Sequence, residues 1–195
     1  MIVVIHNISR KPKNKWEITP KQFKDILNEL TEEDEIHFDD ARIGVYNYAY
    51  PILEKLKHKP KLVIFVVLHW ADGFIPDKEH YSKFMTWDQL KELYNKGFEI
   101  GSHSVTHSNL TFLSKSQLRR ELARSKKVIT EKMGTGCIVN KLAYPYGVYN
   151  KQVVDMAKAR YCRAYILNEI KDLSEIIKSK DFIIPRKLII NSNID

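Results

Sequence analysis

Leu62-Val63-Ile64-Phe65-Val66-Val67-Leu68 is the stretch whose reading decides the fold of this chain. Seven consecutive apolar residues, mostly β-branched or aromatic, show no alternation with polar ones. That is the pattern of a strand covered on both faces, as in a parallel sheet with helices outside it. Further strands are predicted on either side: residues 2–5 and 35–38 upstream, then 97–100, 138–143 and 164–167, with short apolar strands near 182–190. Helix signals lie between them. Thr19-Pro20-Lys21-Gln22 joins an N-cap, a first-turn proline and a reciprocal glutamine, and opens a helix to about Leu30. Thr86 with Gln89 opens a helix that ends at Gly97, and Ser114 with Gln117 opens one that runs to about Met133, before Gly134. Tyr46, Ala49, Ile52, Leu53 and Leu56 form a helical face over residues 45–57, where Pro51 predicts a kink or a late start. A helix over 150–159 and a weaker one near 171–178 complete the pattern. Alternating strands and helices predict an α/β protein with a largely parallel sheet or barrel. No repeat or linker divides it, so residues 1–195 read as one domain.

A hydrophobic fraction of 44% and a charged fraction of 29% are ordinary for a folded globular chain. No apolar run approaches the length of a membrane span. The start, Met1-Ile2-Val3-Val4-Ile5-His6, is too short for a signal-peptide core and reads as a first buried strand. A complete chain of this kind is expected in the cytoplasm; one trimmed of an export signal would work outside it. Cys137 and Cys162 make neither a disulfide framework nor a metal cluster and are expected to be free, buried thiols. The formal charge of +8 is read as a solvated basic surface, because the lysines are spread along helical stretches. No nucleic-acid-binding motif accompanies it, and no nucleic-acid partner is expected.

In parallel α/β folds, functional groups gather at the carboxyl ends of the strands. Four predicted strand ends carry special residues: His6, Asp39-Asp40, the run from His103 to His107, and Tyr144-Pro145-Tyr146-Gly147. His103 and His107 are four residues apart and share one face if the segment turns helically. Two neutral imidazoles there can meet one metal ion, at roughly 2.0–2.1 Å each for zinc. Adjacent carboxylates at a buried strand end repel each other, and a cation is the simplest compensation. Neighbours leaving an extended strand point to opposite sides, so one aspartate can bind the metal while the other faces substrate. One Asp and two His leave an open coordination position, and the spare carboxylate can act as general base.

The motifs that emerge resemble those of the polysaccharide deacetylases, the NodB-homology or carbohydrate esterase family 4 enzymes. Phe38-Asp39-Asp40 resembles the first motif, His103-Ser104-Val105-Thr106-His107 the second, and Tyr144-Pro145-Tyr146-Gly147 the third, in family order over roughly residues 1–167. Tyr50-Pro51-Ile52-Leu53, the segment from Met85 to Leu90, and Asn109-Leu110 resemble the flanks. The resemblance implies a distorted (β/α) barrel and a divalent metal held by Asp40, His103 and His107. Zinc is the usual ion, with cobalt or another divalent ion as the alternative. It also implies Asp39 as general base, the Tyr146 backbone N–H as an oxyanion donor, and Tyr144, Pro145 and Tyr146 as substrate contacts. The implied reaction removes N-acetyl groups from an N-acetylated amino-sugar polymer, oligomer or precursor. Two alternatives share the fold: a deformylase or amidase acting on a lipid-linked sugar, and a degenerate relative that binds glycan without turnover.

Departures from the family pattern are specific. Ala41 replaces the usual glycine after the aspartates, which restricts the backbone if the position needs positive φ. Ala143 stands where many members carry an arginine that orients the base. No histidine follows His107, so the late general-acid histidine is missing; His6 and His69, each near the end of a predicted strand, are candidates to substitute, although a structural role is the one expected of each. Arg163 and Arg186, on later strands, are candidates to support Asp39. Strand alternation is expected to turn His37 away from the metal. Trp70, Trp87, Tyr144 and Tyr146 are candidates to stack on sugar rings, Tyr146 foremost, with Trp87 more at home in the core.

Overall fold

Seven strands close into an all-parallel barrel: β1 (Ile2–Ile5), β4 (Glu35–Phe38), β5 (Lys61–Val66), β6 (Glu99–Ser102), β7 (Lys141–Ala143), β8 (Arg163–Asn168) and β9 (Ile184–Leu188), with β9 paired back onto β1. The structure, a computed structural model, describes residues 1–73, 83–134, 136–168 and 181–194. The helix expected near 171–178 lies outside those residues.

Strand alternation sorts side chains into two cores. Inside the barrel, Val63, Phe65, Ala143 and Tyr165 pack together. Outside it, Val3, Ile5, Ile36, Phe38, Ile64, Val66, Leu142 and Ala164 meet the helices. The apolar run from Leu62 supplies both faces, which explains its lack of alternation. At Gly101 a Cβ would stand 2.5 Å from the Phe65 ring, so β6 leaves room there for that ring.

The three predicted capping boxes are all formed. They open α1 (Pro20–Leu27), α4 (Trp87–Asn95) and α5 (Lys115–Met133). Residues 45–53 begin as a π-helical turn, Val45–Ala49, and become α-helical as α2 (Tyr50–Leu53), with Pro51 at the point where the bonding pattern changes. A short α3 (Leu68–Ala71) follows β5, and α6 (Lys151–Lys158) follows the third motif. Sequence patterning did not anticipate the two-stranded parallel pair β2 (Asn7–Ile8) and β3 (Glu17–Ile18), since two-residue strands carry no periodicity. The strand expected over 138–143 is shorter, and Cys162 is exposed rather than buried, while Cys137 is buried. Among the described residues, no helix is long and apolar enough to cross a membrane.

Candidate active site

Asp39, Asp40, His103 and His107 converge at the carboxyl-terminal mouth of the barrel. The main chain leaves β4 through two successive left-handed residues, Asp40 (φ 71°) and Ala41 (φ 55°). The position after the aspartates does need positive φ, and alanine holds it at a cost of roughly 1–2 kcal/mol relative to a right-handed conformation. The reversal separates the two carboxylates. Asp39 continues the strand's inward face, and Asp40 turns across the mouth toward the histidines.

Asp39 is gripped by Arg186, whose Nη1 donates to Oδ1 at 2.7 Å and Nη2 to Oδ2 at 2.9 Å. Both side chains are essentially inaccessible. The guanidinium lies 5.3 Å from the Phe65 ring centre and 6.0 Å from that of Tyr165, and its Nε donates to the Ile166 carbonyl at 3.2 Å. Burial alone would raise the Asp39 carboxyl, but Arg186 outweighs it and holds the group well below the usual carboxylate range. Arg163, the other candidate, opens β8 at the opposite end of the barrel. It is exposed and faces Tyr165, so it does not support Asp39.

Asp40 has a different arginine. Arg42 Nε and Nη2 donate to its Oδ2 at 3.2 and 3.0 Å. The Arg42 guanidinium lies over Phe84 and Trp70, at 4.8 and 5.7 Å. Burial raises the Asp40 carboxyl, but Arg42 and then His107 bring it down to about 2. The other oxygen, Oδ1, is buried with no hydrogen-bond partner. It faces His103 Nε2 at 3.8 Å and His107 Nε2 at 3.7 Å. These separations are too long for hydrogen bonds. They approach the roughly 3.3–3.4 Å between ligand atoms sharing a tetrahedral zinc with ~2.0–2.1 Å bonds.

The imidazoles are prepared as ligands. His103 Nδ1 donates to the Ala143 carbonyl at 2.8 Å, which leaves Nε2 as the atom with the free lone pair. Burial first, and then His103, pull the His107 imidazole down to about 4, so it is neutral near pH 7. The segment between them is not helical. Ser104 (φ 70°) and His107 (φ 59°) are left-handed, and Ser104 Oγ accepts the His107 N–H at 3.0 Å. The loop wraps around the buried carboxylate of Glu121 from α5. That group accepts from the Val105 and Thr106 N–H groups at 2.8 and 3.0 Å and from Thr106 Oγ1 at 3.0 Å. Asp40, His103 and His107 thus present donor atoms within 4.8 Å of one another, and this set fits a divalent cation. The donor chemistry is that of zinc and its neighbours.

Around this centre the remaining expectations divide. Tyr146 (φ 58°) projects its ring to 60% exposure and meets His107 edge-on at 4.7 Å. Gly147 beside it (φ 70°) would bring a Cβ to 2.6 Å from the Leu167 nitrogen, so only glycine fits. Tyr144 is fully buried and donates its hydroxyl to the Phe182 carbonyl at 3.1 Å, and Pro145 is buried too. Neither can offer a face to substrate, because the strand end directs both into the core. Trp70 is 6% exposed, stacked on Phe84 and packed against His107 at 4.9 Å. Buried against the His107 ring, it offers no face to a sugar. Trp87 packs on the core with Nε1 donating to Asp72 at 2.9 Å. His6 sits at the mouth with its ring 5.1 Å from Trp16 and a buried, unpartnered Nδ1. Burial lowers its pKa, against the raising charges of Asp40 and Asp39. His69, half-buried on α3, donates its backbone N–H to the Val105 carbonyl. His37 is on the same inward face as Asp39, one pleat lower, and contacts Phe65 and Tyr165. Depth in the barrel, rather than alternation, keeps it from Asp40, His103 and His107. Arg42, Glu121 and Trp16 escaped sequence reasoning. Of these, Glu121 did carry a signal, as a carboxylate on the apolar face of a helix.

Comparison with known proteins bears on the family and the fold. The sequence profile of the polysaccharide deacetylases matches residues 34–164. YxkH of Bacillus subtilis (strain 168), whose name assigns it to the same family, is 29% identical over 80% of this chain and 60% of its own length. A poly-beta-1,6-N-acetyl-D-glucosamine N-deacetylase of Staphylococcus aureus (strain MRSA252) is 29% identical over 79% of this chain and 53% of its own. The chain therefore spans little more than half the length of these relatives. Streptococcus pyogenes deacetylase PplD, solved in complex with acetate, superposes with a TM-score of 0.78 at 21% identity, covering 99% of this chain and 93% of that one. The matched segment takes in the aspartate pair, both histidines and the third motif, and on that ground the chain belongs to the polysaccharide deacetylase family.

Proposed function

We propose that this chain removes N-acetyl groups from an amino-sugar glycan, using a divalent cation, preferably zinc, held by Asp40, His103 and His107. The observation that carries the reading is the buried, unpartnered Asp40 Oδ1, which faces two imidazole Nε2 atoms at 3.7 and 3.8 Å while a separate arginine secures Asp39. The S. aureus relative's name supports N-acetylglucosamine units as the substrate class. A cation so bound supplies Lewis acidity, polarising the acetamide carbonyl and acidifying the attacking water.

The protein's own groups do the rest. Asp39, kept ionised and fixed in orientation by Arg186, takes the proton of the attacking water. The Tyr146 backbone N–H donates to the carbonyl oxygen as it gains charge, and the exposed Tyr146 ring walls the sugar. The proton held by Asp39 must reach the departing amine. His6, with its unpartnered Nδ1 inside the field of both aspartates, is the group we assign to carry it. Free amine and acetate are the products.

The test is acetate release from β-1,4- and β-1,6-linked N-acetylglucosamine oligomers after chelation and after restoring zinc or cobalt. Release that follows the metal is the expected result, and a protein that binds no metal at all overturns the proposal. Asp39→Asn should retain the ion and lose on the order of 10²–10⁴-fold in rate. Asp40→Ala and His107→Ala should lose the ion itself. Equal metal loss in all three variants would show that base and ligand have been misassigned.

A further inference from the structure

The even spread of lysines along helices has an exception at the barrel mouth. The loop joining β2 to β3 reads Ser9-Arg10-Lys11-Pro12-Lys13-Asn14-Lys15-Trp16, with four cations in six residues and no acid among them. Arg10, Lys11, Lys13 and Lys15 are all exposed, and so is Trp16, at 40%. The next carboxylate, Glu17, is buried and engaged by the Asn7 side chain at 2.8 Å and the Lys13 N–H at 2.9 Å.

Three contacts seat this loop on strand exits at the catalytic mouth. The Trp16 ring is 5.1 Å from His6, just past β1. The Arg10 guanidinium lies 5.7 Å from the ring of Tyr48, in the turn that follows the aspartates. The Lys15 carbonyl accepts the Asn191 N–H at 2.8 Å, just past β9. Ser9 Oγ accepts the Lys11 N–H at 3.2 Å and Asn14 Oδ1 the Trp16 N–H at 3.0 Å, so the loop is held in shape before any ligand arrives. Trp16 and Tyr146 are therefore two exposed aromatic rings flanking one centre, the first through His6 and the second through His107.

We propose that the Ser9-to-Trp16 loop is a subsite for an anionic glycan. Trp16 stacks on a pyranose ring adjoining the sugar whose acetamide enters the site, and the loop's cations face carboxylate or phosphate groups on the same chain. The proposal rests on the de-N-acetylase reading and narrows its substrate class. An exposed indole gives a sugar ring a flat apolar face at little entropic cost. Clustered cations beside a recessed site raise the local concentration of an anionic substrate in a salt-dependent way. Two exposed rings on either side of one recessed centre suit a single sugar chain bound across it. Unspecific single-strand nucleic-acid binding uses a series of stacking rings along a groove.

The experiment measures binding by calorimetry on the metal-stripped full chain, with three N-acetylchitohexaoses: unmodified, carboxylated at C6 and phosphorylated at C6. At least one anionic form should bind about tenfold or more tighter than the neutral one at low salt, and the tighter of the two identifies the anion's source. The advantage should shrink in 300 mM salt. Lys11→Gln/Lys13→Gln/Lys15→Gln should remove it while leaving neutral binding within about twofold. Trp16→Ala should weaken all three ligands by about fivefold or more. Equal affinities for neutral and anionic forms, or an advantage that survives the triple substitution, overturn the proposal. So does a single-stranded oligonucleotide of matched charge that binds as tightly as the better glycan. Acetate release is read separately on the zinc-loaded protein. Metal-dependent release without an anionic advantage sinks the subsite alone, and an anionic advantage without release sinks the de-N-acetylase reading alone.

Discussion

Replacing Arg186 by methionine leaves the Asp39 carboxylate, with its side chain 1% exposed, without its guanidinium partner. Breaking a buried ion pair from one side costs about 3–5 kcal/mol. For a chain of this length that lowers Tm by on the order of 10 °C. The pH dependence separates this cause from simple loss of packing. In the wild type the folded Asp39 pKa is depressed, so the pair's contribution is present above the unfolded aspartate value of roughly 3.9 and is lost as pH falls through the folded value. Without Arg186, the burial that already opposes ionisation dominates and the folded pKa rises. A carboxyl with a raised folded pKa destabilises the protein above its unfolded pKa and ceases to do so once protonated. The deficit of Arg186→Met should therefore be widest at neutral pH and narrow as pH falls toward roughly 4, where the variant's carboxyl is protonated; the remainder, the wild-type pair's own contribution, goes only at still lower pH.

The assay is urea unfolding at pH 7, 6, 5 and 4 for wild type, Arg186→Met, Asp39→Asn and the double variant Asp39→Asn/Arg186→Met. The double variant removes both charges and should recover much of what Arg186→Met loses, giving a coupling energy of several kcal/mol. Arg186→Lys should restore part of the stability and little of the catalytic rate, because an ammonium cannot hold both carboxylate oxygens at once. An Arg186→Met protein within about 1 kcal/mol of wild type at pH 7, or a double variant as unstable as Arg186→Met, would refute the electrostatic account.

Three other sites make separate demands. Arg42→Met removes the two donors on Asp40 Oδ2 and should weaken zinc binding by roughly 10–100-fold in chelator competition, as loss of a group that orients a ligand does elsewhere; unchanged or tighter binding would show that Asp40 needs no such support. Gly101→Ala drives a methyl to 2.5 Å from the Phe65 ring and should cost about 1–3 kcal/mol in urea unfolding, with Phe65→Leu in the same chain recovering part of it; additive losses would place the strain elsewhere. Ala41→Gly relieves the left-handed conformation at φ 55° and should raise stability by about 1 kcal/mol, read as a higher urea midpoint at unchanged slope.

The candidate site was legible because its chemistry comes in short runs: two carboxylates just past β4 and two imidazoles four residues apart just past β6. The fold was legible because the apolar run from Leu62 excludes a sheet with one wet face. The supporting residues were harder, since each acts on a partner distant in sequence. Arg186 is 147 residues from the carboxylate it holds, and its inward direction follows only once β9 is known to close the barrel against β1. Glu121 shares a helical face with Leu118, Leu122, Ser125 and Ile129, all buried. A carboxylate among them had to be satisfied by something, but no local rule names the Val105 and Thr106 backbone as that partner. The shape of the segment from His103 to His107 was missed for the same reason, because its left-handed turns are imposed by Glu121 and Ser104 rather than by local propensity.

The alanine at 143 takes on a different meaning in this light. Read alone, it marks a missing arginine and argues for a weakened or retired site. In the barrel, Ala143 packs with Phe65 and Tyr165, the two rings over which the Arg186 guanidinium lies. A buried interior of that size favours one guanidinium, because a second would add an unpaired charge at a cost of several kcal/mol. The small side chain on β7 is therefore consistent with the cation arriving from β9, while the Ala143 carbonyl still orients His103. With alanine at 143 on β7, Asp39 still has a bidentate partner, supplied by Arg186 from β9.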